Sequence, residues 1–499
     1  MTKKRRGRRS TPARLLLPLL TTLGVSCFAV VGLAAETRPN ILLVFLDNTG
    51  WADFGPYGGG ALRGAPSPTI DRLAKEGVTL LNFNTEAQCT PSRSALMTGR
   101  FAIRSGTHSV PIGVPYYGLV PWERTLAEIL SDAGYMTGHF GKWHLGKTSG
   151  RYPTDQGFDE WYGIPNSTDE MFWSSPDLLR PFTDAALAEQ VVPEAERPFL
   201  MEGKKGKGSR RIEPYTADTR RTIDADLVAR TKNFMKRAKR KGKRFFAYVP
   251  LTAMHYPTLP HPDFEGRSPA GMYGDMLVQT DHYVGELLEA LDDLGISDDT
   301  LVIFTADNGV EDPVNGDGHF TGWTGPWSGT YFTAMEGGLR VPFIARWPGR
   351  IEAGRTTNGI AHLVDLMPTL AGWAGAEMPA DRPVDGVDLG EFIEGGIEAS
   401  PRKGFPVYVA DTLHAVKWRD WKAHYVWQPT KNSPKQSFST LPRIVNLLQD
   451  PGETRQSAEP FNTWIQYGAI QMMLEFEMSM RKSPSVPVGA PDDWQPEGR

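Results

Sequence analysis

Cysteine is almost absent from this chain. Two occur among 499 residues, Cys27 and Cys89, too few for a disulfide framework. Internal repeats, heptad runs and long low-complexity tracts are missing too, which excludes solenoids, coiled coils and fibrous forms. Nor is there an excess of basic charge: 54 Lys and Arg face 58 Asp and Glu, a formal charge of −4. That balance argues against nucleic acid as the main partner. What is present, 40% hydrophobic and 22% charged residues, suits a globular protein with large cores. A prior of ~150 residues per domain gives about three domains. Fewer are expected, because one α/β sheet can grow large.

The first 35 residues read differently from the rest. "MTKKRRGRRSTPAR" is basic, and an apolar stretch runs from Leu15 to Ala35. A basic segment, an apolar segment and the small-x-small run Gly32-Leu33-Ala34 make a secretory leader, cleaved before Ala35. The same stretch is long enough to span a bilayer, which takes ~20 residues, so an uncleaved membrane anchor is the alternative. Lipid attachment at Cys27 and a twin-arginine signal at Arg8-Arg9 fit less well. Export is expected, to the periplasm or the medium. Losing the leader removes seven basic residues and takes the formal charge from −4 to −11. Cys89 is then a lone cysteine in an oxidising compartment, so it is buried, reactive or modified.

Beyond the leader, strand and helix patterns alternate. "NILLVFLDN" reads as a buried parallel strand over residues 41–46. Helix, glycine stop and strand follow one another at "TIDRLAKEGVTLLNF" and again at "TLAEILSDAGYMTGHFG". A basic amphipathic helix, residues 224–241, leads into the strand "RFFAYVPL". A helix over 276–294 precedes the strand "TLVIFTADNG". The pattern predicts an α/β fold, a large mostly parallel or mixed sheet flanked by helices, over residues 36–400. From 401 to 499 the texture changes. "FPVYVADTLHAVKWRDWKAHYVWQP" alternates like hairpin strands, and a helical stretch covers 463–481. A small C-terminal α+β subdomain with an antiparallel sheet is expected there, ending in a Pro-rich tail.

Two of the strands end alike, in Asp47-Asn48 and in Asp307-Asn308. Open α/β sheets bind ligands outside the carboxyl ends of their strands. Four oxygen donors, two of them carboxylates, suit a hard divalent cation, though either pair alone more often caps a turn. The lone cysteine opens "CTPSRSALMTGR". Pro91 suits the first turn of a helix, and Gly99 can end it. Cys89 therefore stands at a helix N-terminus, where free N–H groups stabilise an oxyanion or a tetrahedral sulfate-like group. Arg93, one turn in, can aim its fork of donors at the same group. A thiolate here is expected to be acidified.

C-x-P-x-R followed by "ALMTGR" resembles the signature of the type I sulfatases, within the alkaline phosphatase superfamily. Five further segments resemble that family in order: "NILLVFLDNTGWADFGPYGGG", "GYMTGHFGKWHLG", "AMHYP", "TLVIFTADNG" with "EGGLRVPFIARWPG", and "NLLQDPGET". The resemblance runs from about residue 39 to 453. It implies an alkaline phosphatase-like fold and hydrolysis of sulfate esters. It also implies that a separate maturation enzyme oxidises Cys89 to Cα-formylglycine. The hydrated aldehyde attacks sulfur and forms a covalent sulfo-enzyme. His255 protonates the leaving oxygen, and His144 takes the proton that lets sulfate depart. Lys142 and Arg93 balance charge on sulfate. Asp47, Asn48, Asp307, Asn308 and residue 89 hold one Ca²⁺ ion.

The chain departs from the family pattern twice. Many members read Asp-Asp where Asp47-Asn48 stands. Many also place a lysine about five residues before "EGG", where this chain has Tyr331, here taken as a substrate-binding residue. One anion and one cation thus go missing together, which suggests a pocket of unchanged net charge. Bland readings suit other positions better. Glu86 and Gln88 read as loop residues, and His319 lacks motif support. Trp323 and Trp327 could wall the pocket or pack in the core. The runs "KKGKGSRR" and "KRAKRKGKR" read as solvated surface. A phosphonate monoester or phosphodiester hydrolase using the same formylglycine is the alternative activity, and the natural substrate is not legible.

Overall fold

The computed structural model describes residues 38–111, 116–175, 197–311, 321–438, 441–455 and 464–496. The leader with Cys27, and His319, lie outside the described residues. Among the described residues no helix is long and apolar enough to cross a membrane.

"NILLVFL" forms β1, Asn40–Leu46, and every residue of it is buried. A strand covered on both faces needs no polar alternation, hence its unbroken apolar run. The other strands of its sheet are β2 (Val78–Leu80), β3 (Met136–Lys142), β4 (Glu160–Ile164), β5 (Phe199–Lys204) and β6 (Gly208–Pro214). They continue with β7 (Phe245–Pro250), β8 (Thr300–Ala306), β9 (Phe343–Arg346) and β10 (Arg355–Thr357). The order is β10-β2-β9-β8-β1-β7-β3-β4-β5-β6. From β8 to β4 the strands are parallel. Antiparallel partners, β9 on one side and β5 with β6 on the other, extend the sheet. Phe45 pairs with Pro250 and Leu46 with Ala306, so the turns after β1, β7 and β8 leave the sheet at one edge.

Helices α1 (Pro68–Glu76), α2 (Cys89–Thr98), α3 (Leu126–Asp132), α4 (Ala217–Arg240), α5 (Gly271–Asp293) and α6 (Leu366–Ala374) flank the sheet. Helix α4 lies on β3 and β7 and against α5, while α2 packs on α3 and α6. Gly99 ends α2 at φ 64°, with its N–H bonded to Ala95 O at 3.0 Å. That left-handed position suits glycine.

The C-terminal part holds a separate four-stranded antiparallel sheet. Its strands are β11 (Gly404–Val409), β12 (Thr412–Trp418), β13 (Trp421–His424) and β14 (Arg443–Asn446). Helix α7, Trp464–Lys482, packs on it. The Pro-rich tail is strapped down: Val486 N–H bonds Arg104 O at 2.8 Å, and Asp492 pairs with Arg151 at 2.7 Å. Residues Arg38–Arg499 form one compact unit.

Candidate active site

The shared carboxyl edge gathers the residues singled out above. Asp47 and Asn48 leave β1, Asp307 and Asn308 leave β8, and Lys142 ends β3. His144 follows two residues later, and His255 sits beyond β7. The turn after β7 is tied to β1 by two backbone bonds, Asp47 N–H to Ala253 O at 2.9 Å and Met254 N–H to Asp47 O at 2.7 Å. Helix α2 starts at Cys89, after an extended Gln88.

Cys89 Sγ lies 3.5 Å from Asp47 Oδ1 and 3.6 Å from Asn48 Oδ1. Cations take the outer oxygens of the two acids. Lys142 Nζ is 2.6 Å from Asp47 Oδ2. Arg93 Nη2 is 2.8 Å from Asp307 Oδ2 and 3.3 Å from Asp47 Oδ2, while its Nη1 donates to Lys142 O at 2.8 Å. Arg93, Lys142, Asp47 and Asp307 have fully buried side chains. Burial works to raise Asp47, yet Lys142, His255 and Arg93 outweigh it and hold Asp47 well below the usual carboxylate range. Burial, with Asp47 beside it, lifts Asp307 to about 6.

The inner oxygens of these groups form a cradle. Asp307 Oδ1 accepts Asn48 N–H at 3.2 Å, and Asn48 Oδ1 accepts Asn308 Nδ2 at 2.5 Å. Asn308 Oδ1 is buried with no hydrogen-bond partner among the described residues. Ligand atoms of Asp47, Cys89 and His255 lie within 4.8 Å of one another. An orphaned amide oxygen beside two carboxylates fits a hard divalent cation.

The thiol departs from expectation. A helix start and two cations do not acidify Cys89. Burial pushes it well above its ordinary value and, with Asp307 and Asp47, prevails over Lys142 and Arg93. As a thiol, residue 89 is a poor nucleophile. His144 is buried at φ 59°, and burial, with Lys142 and Arg93, drives it well below its ordinary value, so the imidazole is held neutral. The Nδ1 of His255 lies 2.5 Å from Tyr256 O. A proton on Nδ1, donated to that carbonyl, leaves Nε2 for the pocket.

Tyr331 joins through its backbone, its N–H bonding Val310 O at 2.9 Å, and Phe332 N–H bonds Ala87 O at 2.7 Å. Lys431 Nζ, from the C-terminal part, stands 5.4 Å from the Tyr331 ring centroid. Lys431 thus lies beside Tyr331, and Glu311 beside Asn48, whose Nδ2 it accepts. Trp327 packs edge-on to Trp51 and under Arg340, and Trp323 on Tyr273. Glu86 Oε1 accepts Ala102 N–H, and Gln88 Oε1 accepts Val110 N–H, both loop roles.

Sequence reasoning missed three residues here. Glu311 is one, although an acid three residues after Asn308 was a signal. The others are Arg220 and Asp224 of α4. Arg220 Nη2 donates to His255 O at 3.2 Å, and Asp224 Oδ1 accepts Thr252 N–H at 2.9 Å. Nothing local marks a helix arginine as the support of a distant histidine loop.

Nucleophilic, charged and candidate metal-holding groups meeting at the carboxyl edge of a mixed α/β sheet fit an ester hydrolase. The sulfatase family model matches residues 39–376. N-acetylgalactosamine-6-sulfatase of Canis lupus familiaris is 34% identical over 467 residues, covering 87% of this chain and 84% of the relative. Human arylsulfatase A is 35% identical over 453 residues, covering 85% and 84%. The crystal structure of PsFucS1 sulfatase from Pseudoalteromonas sp. superimposes with a TM-score of 0.82 at 32% identity, over 90% of this chain and 92% of that one. The chain belongs to the sulfatase family and is a sulfuric ester hydrolase.

Proposed function

We propose that the protein hydrolyses sulfate monoesters through a formylglycine made from Cys89, beside a Ca²⁺ ion. One observation carries this reading: the Cys89 sulfur sits 3.5 Å from Asp47 Oδ1 and 3.6 Å from Asn48 Oδ1, on the cradle itself. Asp47, Asn48, Asp307 and Asn308 would hold the cation, which would supply charge stabilisation to a bound oxyanion. Formylglycine supplies a hydrated carbonyl, one hydroxyl to take the sulfuryl group and one to expel it. Arg93 and Lys142 face the sulfate oxygens as fixed, buried cations. His255 holds the proton for the leaving oxygen. His144, kept neutral by burial and Lys142, would serve as the base that accepts a proton beside residue 89. The leader supports export, and a maturation enzyme is the partner this chemistry requires. A phosphonate or phosphodiester substrate is not favoured, since relatives matching more than four fifths of the chain are sulfatases.

Expression with a formylglycine-generating enzyme, followed by trypsin, releases the peptide from Glu76 to Arg93. Conversion leaves it lighter by about one water and blind to thiol alkylation, and the converted protein cleaves an aryl sulfate. A peptide that stays a thiol, in a protein that still cleaves the ester, overturns the mechanism.

A further inference from the structure

Asn48 can offer the cradle either end of its amide. The two ends have the same shape, yet one is an oxygen acceptor and the other an N–H₂ donor. Only the oxygen serves a cation. The Asn48 backbone is fixed in the left-handed region at φ 51°, with its N–H on Asp307 Oδ1, so the choice lies with the side-chain torsions. Two neighbours constrain them. Asn308 Nδ2 donates to Oδ1 at 2.5 Å, and the Glu311 carboxylate accepts Nδ2. An amide turned the other way would face the Glu311 carboxylate with its oxygen. Glu311 is only 6% exposed. Its Oε1 also accepts Tyr256 N–H at 3.4 Å and lies 3.6 Å from His255 Nδ1.

Resting on the cation cradle proposed above, we infer that Glu311 is a positioning residue: by taking Asn48 Nδ2, it turns Asn48 Oδ1 toward the cation. The residue lies outside the cradle and acts through Asn48. Groups that orient a metal ligand typically change affinity by about 10- to 100-fold when lost.

The test is calorimetric titration of Ca²⁺ into the unconverted Cys89 protein, which has no formylglycine and needs no turnover. Glu311→Ala weakens Ca²⁺ binding by about tenfold or more, whereas Glu311→Gln, which keeps an acceptor oxygen, stays within about threefold of the parent. In an Asn48→Asp background the sign reverses. No amide remains to be oriented, and two carboxylates face each other, so removing Glu311 tightens binding. Equal losses in both backgrounds overturn the inference, as does unchanged affinity in Glu311→Ala. Should Glu311→Ala fail to fold, Asn48→Asp with and without Glu311→Gln carries the test, and no gain from the added Gln overturns the inference. A parent protein that binds no Ca²⁺ overturns the cradle itself, an outcome distinct from a parent that binds and a Glu311 variant that binds equally well.

Discussion

His139 is an imidazole walled by rings. Trp143, Phe158, Trp161 and Tyr248 surround it with centroids 5.3 to 6.1 Å away. Burial, with Arg93 adding, pushes it from 6.5 down to about 3. Glu86 is its mirror image: burial outweighs the Ala102 N–H bond and lifts it from 4.5 to about 8. The signs follow from proton counting. Between pH 6.5 and 3 the unfolded chain protonates His139 and the native one does not, so stability falls as pH falls. Between pH 4.5 and 8 the unfolded chain ionises Glu86 and the native one does not, so stability falls as pH rises. Each group contributes a slope of about 1.4 kcal/mol per pH unit inside its window. Glu86→Gln is expected to remove one such slope from urea unfolding measured between pH 4.5 and 8. A variant whose profile parallels the parent's would refute this.

At the scale of elements, α3 begins with a reciprocal cap. Thr125 Oγ1 accepts Glu128 N–H at 3.1 Å, and Glu128 Oε2 accepts Thr125 N–H at 2.7 Å. The hydroxyl also donates to Gln156 O at 2.7 Å. Thr125→Ala is expected to cost about 1–2 kcal/mol by urea unfolding, and Thr125→Ser to recover most of it. A loss no larger than a few tenths would mean the cap is idle. Signals of this kind are local, which is why α3, β1 and the ends of α2 were legible in the sequence. So were the cradle residues, because each lies just past a strand whose apolar run announces it. Arg220 and Asp224 were not legible, since each acts on a segment remote in sequence, and Glu311 was signalled only by its place three residues after Asn308. The aromatic run at Trp323 and Trp327 stayed open in the sequence for the same reason: a ring's partners decide whether it packs or binds. Burial, invisible in a helix motif, reversed the expected acidity of Cys89.

At the scale of the molecule, a buried knot of charge joins the two sheets. Glu336 receives Lys417 at 2.6 Å and Lys422 at 2.8 Å, both from the small sheet, and also Arg340. Lys417 Nζ donates in addition to Asn82 and Asn84, at 2.8 Å each. Lys422 reaches Glu453 at 3.2 Å, and Glu453 accepts Glu336 N–H at 2.7 Å and lies 2.6 Å from His424. Glu336 follows the loop that carries Tyr331, so the small sheet holds the end of that loop. Removing one partner of such a set strands the others. Glu336→Gln is expected to cost about 3–5 kcal/mol in denaturant unfolding. A loss under about 1 kcal/mol would show the lysines satisfied without it.

The depth of Cys89 also imposes an order of events. Only 3% of the residue is exposed in the finished protein, and the walls that close over it come from Lys142, Asp307 and the turn after β7. Synthesis runs from the N-terminus at about 5–20 residues per second, so residue 89 emerges roughly 10 to 45 seconds before Asp307. Every residue of α2 is buried, so a macromolecule that must grip the segment around this sulfur has that interval, or an unfolded chain, in which to act. Speeding the closure of β8 onto β1 would therefore lower the yield of modified protein while raising the yield of folded protein.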